Sequence, residues 1–207
     1  MIRTFAITIV ALAFVACSPK KQSLVKTLEK TNTVEEALEL REKHPEWDVE
    51  ITEAATDGRP PSAVLQRMID GEVLQLPDST GPYHKVVSLT EVTQYNMRYI
   101  FFDPEKISQE SIDAIRKDIT KRFLNGQDFG TLANQFTMDG STNGGDLGWM
   151  NESALQPEMI EAMKNHQKGQ IFPLDIPDKN LHYLFLKVQD ERTILRMFMV
   201  KVSEKQE

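Results

Sequence analysis

The sequence predicts an α+β fold, a small antiparallel sheet with helices packed on it. Helix-period and strand-period segments interleave along its 207 residues. The strand segments are short, and the connections between the late ones are hairpin-sized. Parallel neighbours need crossovers of a dozen residues or more, so an antiparallel sheet suits these connections better.

From the N-terminus, "SPKKQS" is polar and contains proline, so residues 17–33 read as a tether. Residues 34–47 carry apolar side chains at 34, 37, 38 and 40, a helical stripe that Pro45 ends. "DGRPP" is a turn, and residues 63–69 fit a short helix. "GEVLQLP" and "YHKVVSL" fit two strands of a hairpin that turns at residues 78–82. "MRYIFF", residues 97–102, is rich in aromatic and branched side chains and reads as a strand closed by Pro104. Residues 108–124, with apolar side chains at 112, 115, 119, 123 and 124, predict a helix, and residues 129–136 a shorter one. "NQFTMDGSTNGGDLGWM", residues 134–150, reads as a strand-free polar loop. A helix over 158–164 follows, then strands at "QIFPLDI", "HYLFLKV" and "ILRMFMVKV".

A composition of 40% hydrophobic and 27% charged residues is ordinary for a soluble globular chain. The net charge of −7 argues against nucleic acid and against an anionic membrane surface as electrostatic partners. The first residues add a targeting signal. Arg3 precedes an apolar run over 4–16 that is too short to span a bilayer comfortably and is built like a secretory signal. It ends in Phe14, Val15, Ala16 and Cys17, which resembles the bacterial lipobox, with Phe14 where leucine is usual. Cys17 is the only cysteine, so no disulfide can form within the chain, and lipidation gives it a purpose. The expectation is a signal peptide over 1–16 and a mature chain in the bacterial envelope, held on a membrane by a lipidated Cys17.

Residues 98–188 carry a resemblance. "RYIF" is followed by "GQDFGTLANQFTMD", "GGDLGWM", "KGQIFPL" and "LFLKV", in an order similar to that of parvulin-type peptidyl-prolyl isomerases. The resemblance implies a parvulin-like sheet with flanking helices over residues 94–191. It also implies an apolar pocket for a proline ring, falling on Leu147, Met150, Leu155, Gln156 and Met159. Asp139 lies where this family keeps a cysteine or an aspartate beside the reacting amide, and a buried carboxylate there would have a perturbed pKa. The family's two histidines fall on Tyr99 and Leu184. Tyr99 retains a hydroxyl, and His182, two residues before Leu184, would share its strand face. The implied catalytic residues are therefore Asp139 and Tyr99, with Leu184 and His182 beside the pocket. Gly144, Gly145 and Gly148 would let the loop fold close to the pocket, with Asp146 bracing its turn. No cofactor is expected, and no metal, since His44 and His166 lack metal-like neighbours.

The chain also repeats itself at a spacing of about one hundred residues. "GEVLQLPDSTGPYHKVVSLTEV" mirrors "GQIFPLDIPDKNLHYLFLKVQDE", and residues 97–106 mirror 196–205. Residues 34–93 thus resemble the back half of a parvulin module without its glycine loop. The strand at 194–202 is expected to complete that half-module through contacts between Phe198 and residues 83–87. The alternative is that it extends the main sheet. The implied function is isomerisation of proline-containing segments in exported, incompletely folded chains. Loss of both histidines keeps open a chaperone or peptide-binding module without catalysis, and a structural assembly lipoprotein is a further alternative.

Overall fold

The computed structural model describes residues 19–76 and 81–205. Cys17 and the signal expected over 1–16 lie outside these residues. The chain divides into two compact units.

Of the described residues, the first unit comprises 19–54, 61–76, 81–89 and 197–205. Residues expected to be a tether form helix α1 (Pro19–Glu29), which buries Leu24 and Leu28. Four residues apart, these two share one helix face and exclude water there. Helix α2 (Val34–Lys43) starts at Thr33, whose hydroxyl accepts the Glu36 N–H, while the Glu36 carboxylate accepts the Asn32 N–H. It buries Ala37 and Leu40, but Leu38, placed on the apolar stripe by sequence, is 47% exposed. Strand β1 (Trp47–Ala55) follows the expected helical segment, over residues for which the sequence pattern suggests no element. Its first residues alternate, with Trp47 and Val49 inward and Asp48 and Glu50 outward. Helix α3 (Ala63–Ile69) is capped by Ser62, and β2 is only Leu74–Gln75. The core of this unit joins Leu24, Leu28, Ala37, Leu40, Trp47 and Val49 to Val87, Val200 and Val202, with Tyr83 and Phe198 packed against it.

Two long strands replace four expected short ones. β3 runs without a break over Tyr83–Phe102 and β6 over Leu181–Glu204. Neither segment contains a glycine or proline, so nothing in the backbone interrupts the extended run. β1 pairs with β6, β6 with β3 and β3 with β2.

The second unit comprises Ala55–Pro60 and Thr90–Arg196. Helix α4 (Gln109–Leu124) is capped by Ser108, and α5 (Phe129–Phe136) by Asp128, whose carboxylate accepts the Thr131 N–H at 2.8 Å. Leu124, counted with the apolar residues of α4, is 74% exposed. The loop expected to be strand-free ends in a strand, β4 (Asp146–Asn151), which pairs antiparallel with β3. Helix α6 (Pro157–Asn165) has proline in its first turn, where a missing N–H costs no hydrogen bond. β5 (Ile171–Ile176) pairs antiparallel with β6, with Phe172 opposite Phe185 and Leu174 opposite Tyr183.

Alternation along β3 and β6 divides this unit into two cores. Ile100, Phe102 and Leu184 pack with Ile112, Ile119, Phe129 and Leu132 of α4 and α5. Tyr95, Met97 and Phe185 pack with Met163 and Phe172. Odd-numbered residues of both strands thus face the α6 side and even-numbered ones the α4 side.

Candidate functional site

On the α6 side lies a cavity of about 300 Å³ lined by Tyr99, Phe101, Asp139, Leu147, Met159, Leu181, Tyr183 and Phe185. β3 supplies Tyr99 and Phe101, and β6 supplies Leu181, Tyr183 and Phe185, each two residues apart. The rings meet edge-on or tilted: Tyr99 and Tyr183 have centroids 6.0 Å apart at 76°, and Tyr183 and Phe185 are 5.2 Å apart.

One charged group lines this apolar surface. The Tyr99 hydroxyl donates to Asp139 Oδ2 at 2.6 Å. The Thr137 hydroxyl and the Ser141 N–H donate to Oδ1 at 2.9 and 3.0 Å. Asp139 is exposed, not buried as expected. Partial burial pushes its carboxyl up, but the hydrogen bonds from Tyr99, the Ser141 N–H and Thr137 outweigh this and hold it below the ordinary range. Burial, followed by the bond to Asp139, raises the Tyr99 phenol, and burial with the Asp139 charge raises that of Tyr183. At neutral pH the site therefore holds one carboxylate and two neutral phenols.

The glycine loop sets this geometry. The Tyr99 N–H donates to the carbonyl of Gly145 at 2.9 Å. Gly145 has φ +66°, and a Cβ there would sit 2.0 Å from the Tyr99 carbonyl oxygen, so only glycine fits. Asp146 braces the turn: its carboxylate accepts the Gly148 N–H at 2.8 Å and pairs with Arg98 at 3.1 Å. Asn134 on α5 holds the loop through the Gly144 N–H at 2.7 Å.

Of the residues expected at the site, Asp139, Tyr99, Leu147 and Met159 come together on the cavity. Leu184 and His182 do not. Leu184 is 1% exposed and belongs to the core on the opposite face, and His182 pairs with Asp175 at 2.8 Å, which in turn holds Arg116. The reason is strand periodicity: an offset of one residue moves a side chain through the sheet, and Tyr183 is the residue that faces Tyr99. Leu155 packs in the core beneath the cavity without lining it. Met150 sits on β4 opposite Tyr95, and Gln156 precedes α6 and accepts a hydrogen bond from Lys179. Neither lines the cavity. Phe101, Leu181, Tyr183 and Phe185 went unnoticed in the sequence, although steps of two from Tyr99 and along "LHYLF" reach all four. Among the described residues, no three His, Cys, Asp or Glu side chains gather where they could hold a metal ion.

Residues 99–177 match the rotamase family, the PPIC-type PPIase domain. The segment over these residues is a parvulin-type peptidyl-prolyl isomerase domain. Its parvulin-type segment is similar to the chaperone SurA of Pseudomonas putida, 32% identical over 102 residues, which is 48% of this chain and 23% of the relative. SurA of Burkholderia lata is 30% identical over 156 residues, 72% of this chain and 34% of the relative. The chain thus spans between about a quarter and a third of the length of these curated relatives. A crystallised PpiC-type peptidyl-prolyl cis-trans isomerase domain is 22% identical over 48% of this chain and 92% of that domain, with a TM-score of 0.42.

Proposed function

We propose that the chain is a folding factor of the bacterial envelope that binds proline-containing segments of exported polypeptides and isomerises their prolyl bonds. The observation that carries this reading is the apolar cavity with a hydrogen-bonded carboxylate at its edge, in a domain of the isomerase family. Rotation about a prolyl bond breaks amide resonance and crosses a barrier of roughly 20 kcal/mol, so the free reaction takes tens of seconds. A thousandfold acceleration needs about 4 kcal/mol of preference for the twisted amide. The cavity offers two sources. Its aromatic and aliphatic walls accept the ring of proline and exclude water. The Asp139 carboxylate acts on the amide itself. A planar amide carries partial negative charge on oxygen, and twisting removes part of it. A carboxylate held near that oxygen destabilises the planar state more than the twisted one. The hydrogen bond from Tyr99 helps hold the carboxylate in place.

The first unit is read as a reduced copy of the same module whose sheet the C-terminal strand completes. Its support is the core shared by Val87, Val200 and Val202, with Phe198 against it. Lipid anchoring through Cys17 belongs to this proposal as well. Among the described residues, no helix is long and apolar enough to cross a membrane.

A second reading is a holding chaperone without catalysis. It is favoured by one observation: no histidine lines the cavity, and a phenol, Tyr183, faces Tyr99. Exchange NMR of an X-Pro peptide with the full-length chain separates the two. Faster cis–trans exchange, reduced in Asp139→Asn and Tyr99→Phe, supports catalysis. Peptide shifts with exchange at the free rate select the chaperone, and absence of binding removes both.

A further inference from the structure

The lining of the cavity also bears on which prolines it accepts; this inference rests on the function proposed above. Of the eight residues around the cavity, Asp139 is the exposed one, the others being half-buried or, for Phe185, buried. Asp139 therefore marks the mouth, and a proline ring seated among Phe101, Tyr183 and Phe185 leaves the preceding residue beside it. The donors holding the carboxylate, Tyr99, Thr137 and the Ser141 N–H, are all neutral, so its charge is not cancelled. Nearby cations are engaged elsewhere. Arg98 pairs with Asp146 at 3.1 Å, and Lys106 pairs with Asp103 at 2.8 Å while donating to the Met138 carbonyl. Oδ1 of Asp139 already accepts two hydrogen bonds, but Oδ2 accepts only that of Tyr99 and retains room for another donor. The faces of aromatic rings also favour a cation.

We propose that the mouth of the cavity selects lysine or arginine immediately before the proline, and rejects aspartate, glutamate or a phosphorylated residue there, with Asp139 as the specificity-determining residue. An acidic side chain at that place faces an uncancelled like charge across an apolar, partly desolvated surface. A basic one meets a carboxylate with a free lone pair on Oδ2 and the edge of an aromatic cluster.

The test uses three peptides that differ only in the residue before proline, Lys, Ala or Glu. Each is titrated with the full-length chain, and both binding and cis–trans exchange are read by NMR. Lys-Pro is expected to bind or exchange on the order of tenfold better than Glu-Pro, with Ala-Pro between. The ratio falls toward one in Asp139→Asn and at high salt. It persists in Tyr99→Phe, which removes a hydrogen bond but leaves the charge. Equal handling of the three peptides, or a ratio unchanged in Asp139→Asn, overturns the selection while leaving prolyl binding intact. Failure to engage any of the three removes the proposed function, and this inference with it.

Discussion

The two units contain the same run of strand put to different uses. In the second unit β3 buries Met97, Ile100 and Phe102; one hundred residues later β6, in the first unit, buries Met197, Val200 and Val202. The exposed stretches at 89–91 and 189–191 match at the same spacing. The sequence match of 97–106 to 196–205 was therefore one residue out of register, enough to exchange the two faces. At the corrected spacing, the cavity residues Tyr99, Phe101, Tyr183 and Phe185 correspond to Met199, Lys201, Tyr83 and Lys85. Lys85 is buried and donates to the Glu29 carbonyl and to Asn32, while Lys201 pairs with Glu50. Inward positions form a core in both units. The positions between them line a cavity in one unit and hold a helix end and a surface ion pair in the other. Keeping a fold and keeping a site are thus separate demands on alternate residues.

The strongest way to break this comparison is through the glycines. Gly145→Ala drives a Cβ into the Tyr99 carbonyl at a positive φ and is expected to destabilise the second unit by about 3 kcal/mol or more, with loss of peptide binding. Gly71→Ala in the first unit, at φ +95° with open space around it, should cost only about 1 kcal/mol. Denaturant midpoints of the two variants check the difference; equal losses would mean that the close approach at Tyr99 carries no weight.

Both units use a buried lysine to hold a helix C-terminus. Lys187 donates to the Met163 and His166 carbonyls and to Glu191, as Lys85 does to Glu29 and Asn32. Replacing either with methionine leaves carbonyls without a donor, and an expected loss of roughly 1–3 kcal/mol each can be read by thermal unfolding. Only Lys187→Met should also weaken peptide binding, because Lys187 lies two residues from the cavity residue Phe185 on β6, whereas Lys85 lies at the far end of β3 from Tyr99.

Charge at the cavity should matter for turnover and little for stability. Asp139→Asn is expected to lower kcat/KM by about tenfold, with stability changed by less than about 1 kcal/mol. The carboxyl has a depressed pKa, so its ionised form outlasts that of a free carboxylate as pH falls, and any stability it contributes is full above the unfolded value and lost as pH falls through the folded one. Activity should therefore be flat from about pH 8 to 5 and fall only below about pH 4. Because the Tyr99 and Tyr183 phenols are raised, no second limb is expected below about pH 10. A midpoint near pH 6 would assign the chemistry to another group. The smallest effect is expected for Lys201→Ala, which removes an exposed pair in the first unit and should leave peptide exchange unchanged.

The sequence by itself determined helices close to those at Val34–Lys43, Ala63–Ile69, Gln109–Leu124 and Phe129–Phe136, because apolar periodicity is a local signal. It also determined that Asp139, Tyr99, Leu147 and Met159 belong near one another, through motif order. It did not fix the face of each strand. Leu184 and Tyr183 are adjacent and both suit a strand, and only pairing with β5 and packing on α4 decide which one turns to the core. Nor did it give helix α1, whose polar sequence becomes a helix because Leu24 and Leu28 find Ala37, Leu40, Val200 and Val202 to pack against. Those partners lie as far as 178 positions away in the chain, between residues 24 and 202. Local propensity reads what a segment can form; which side of it is buried depends on contacts that exist only after the chain has folded.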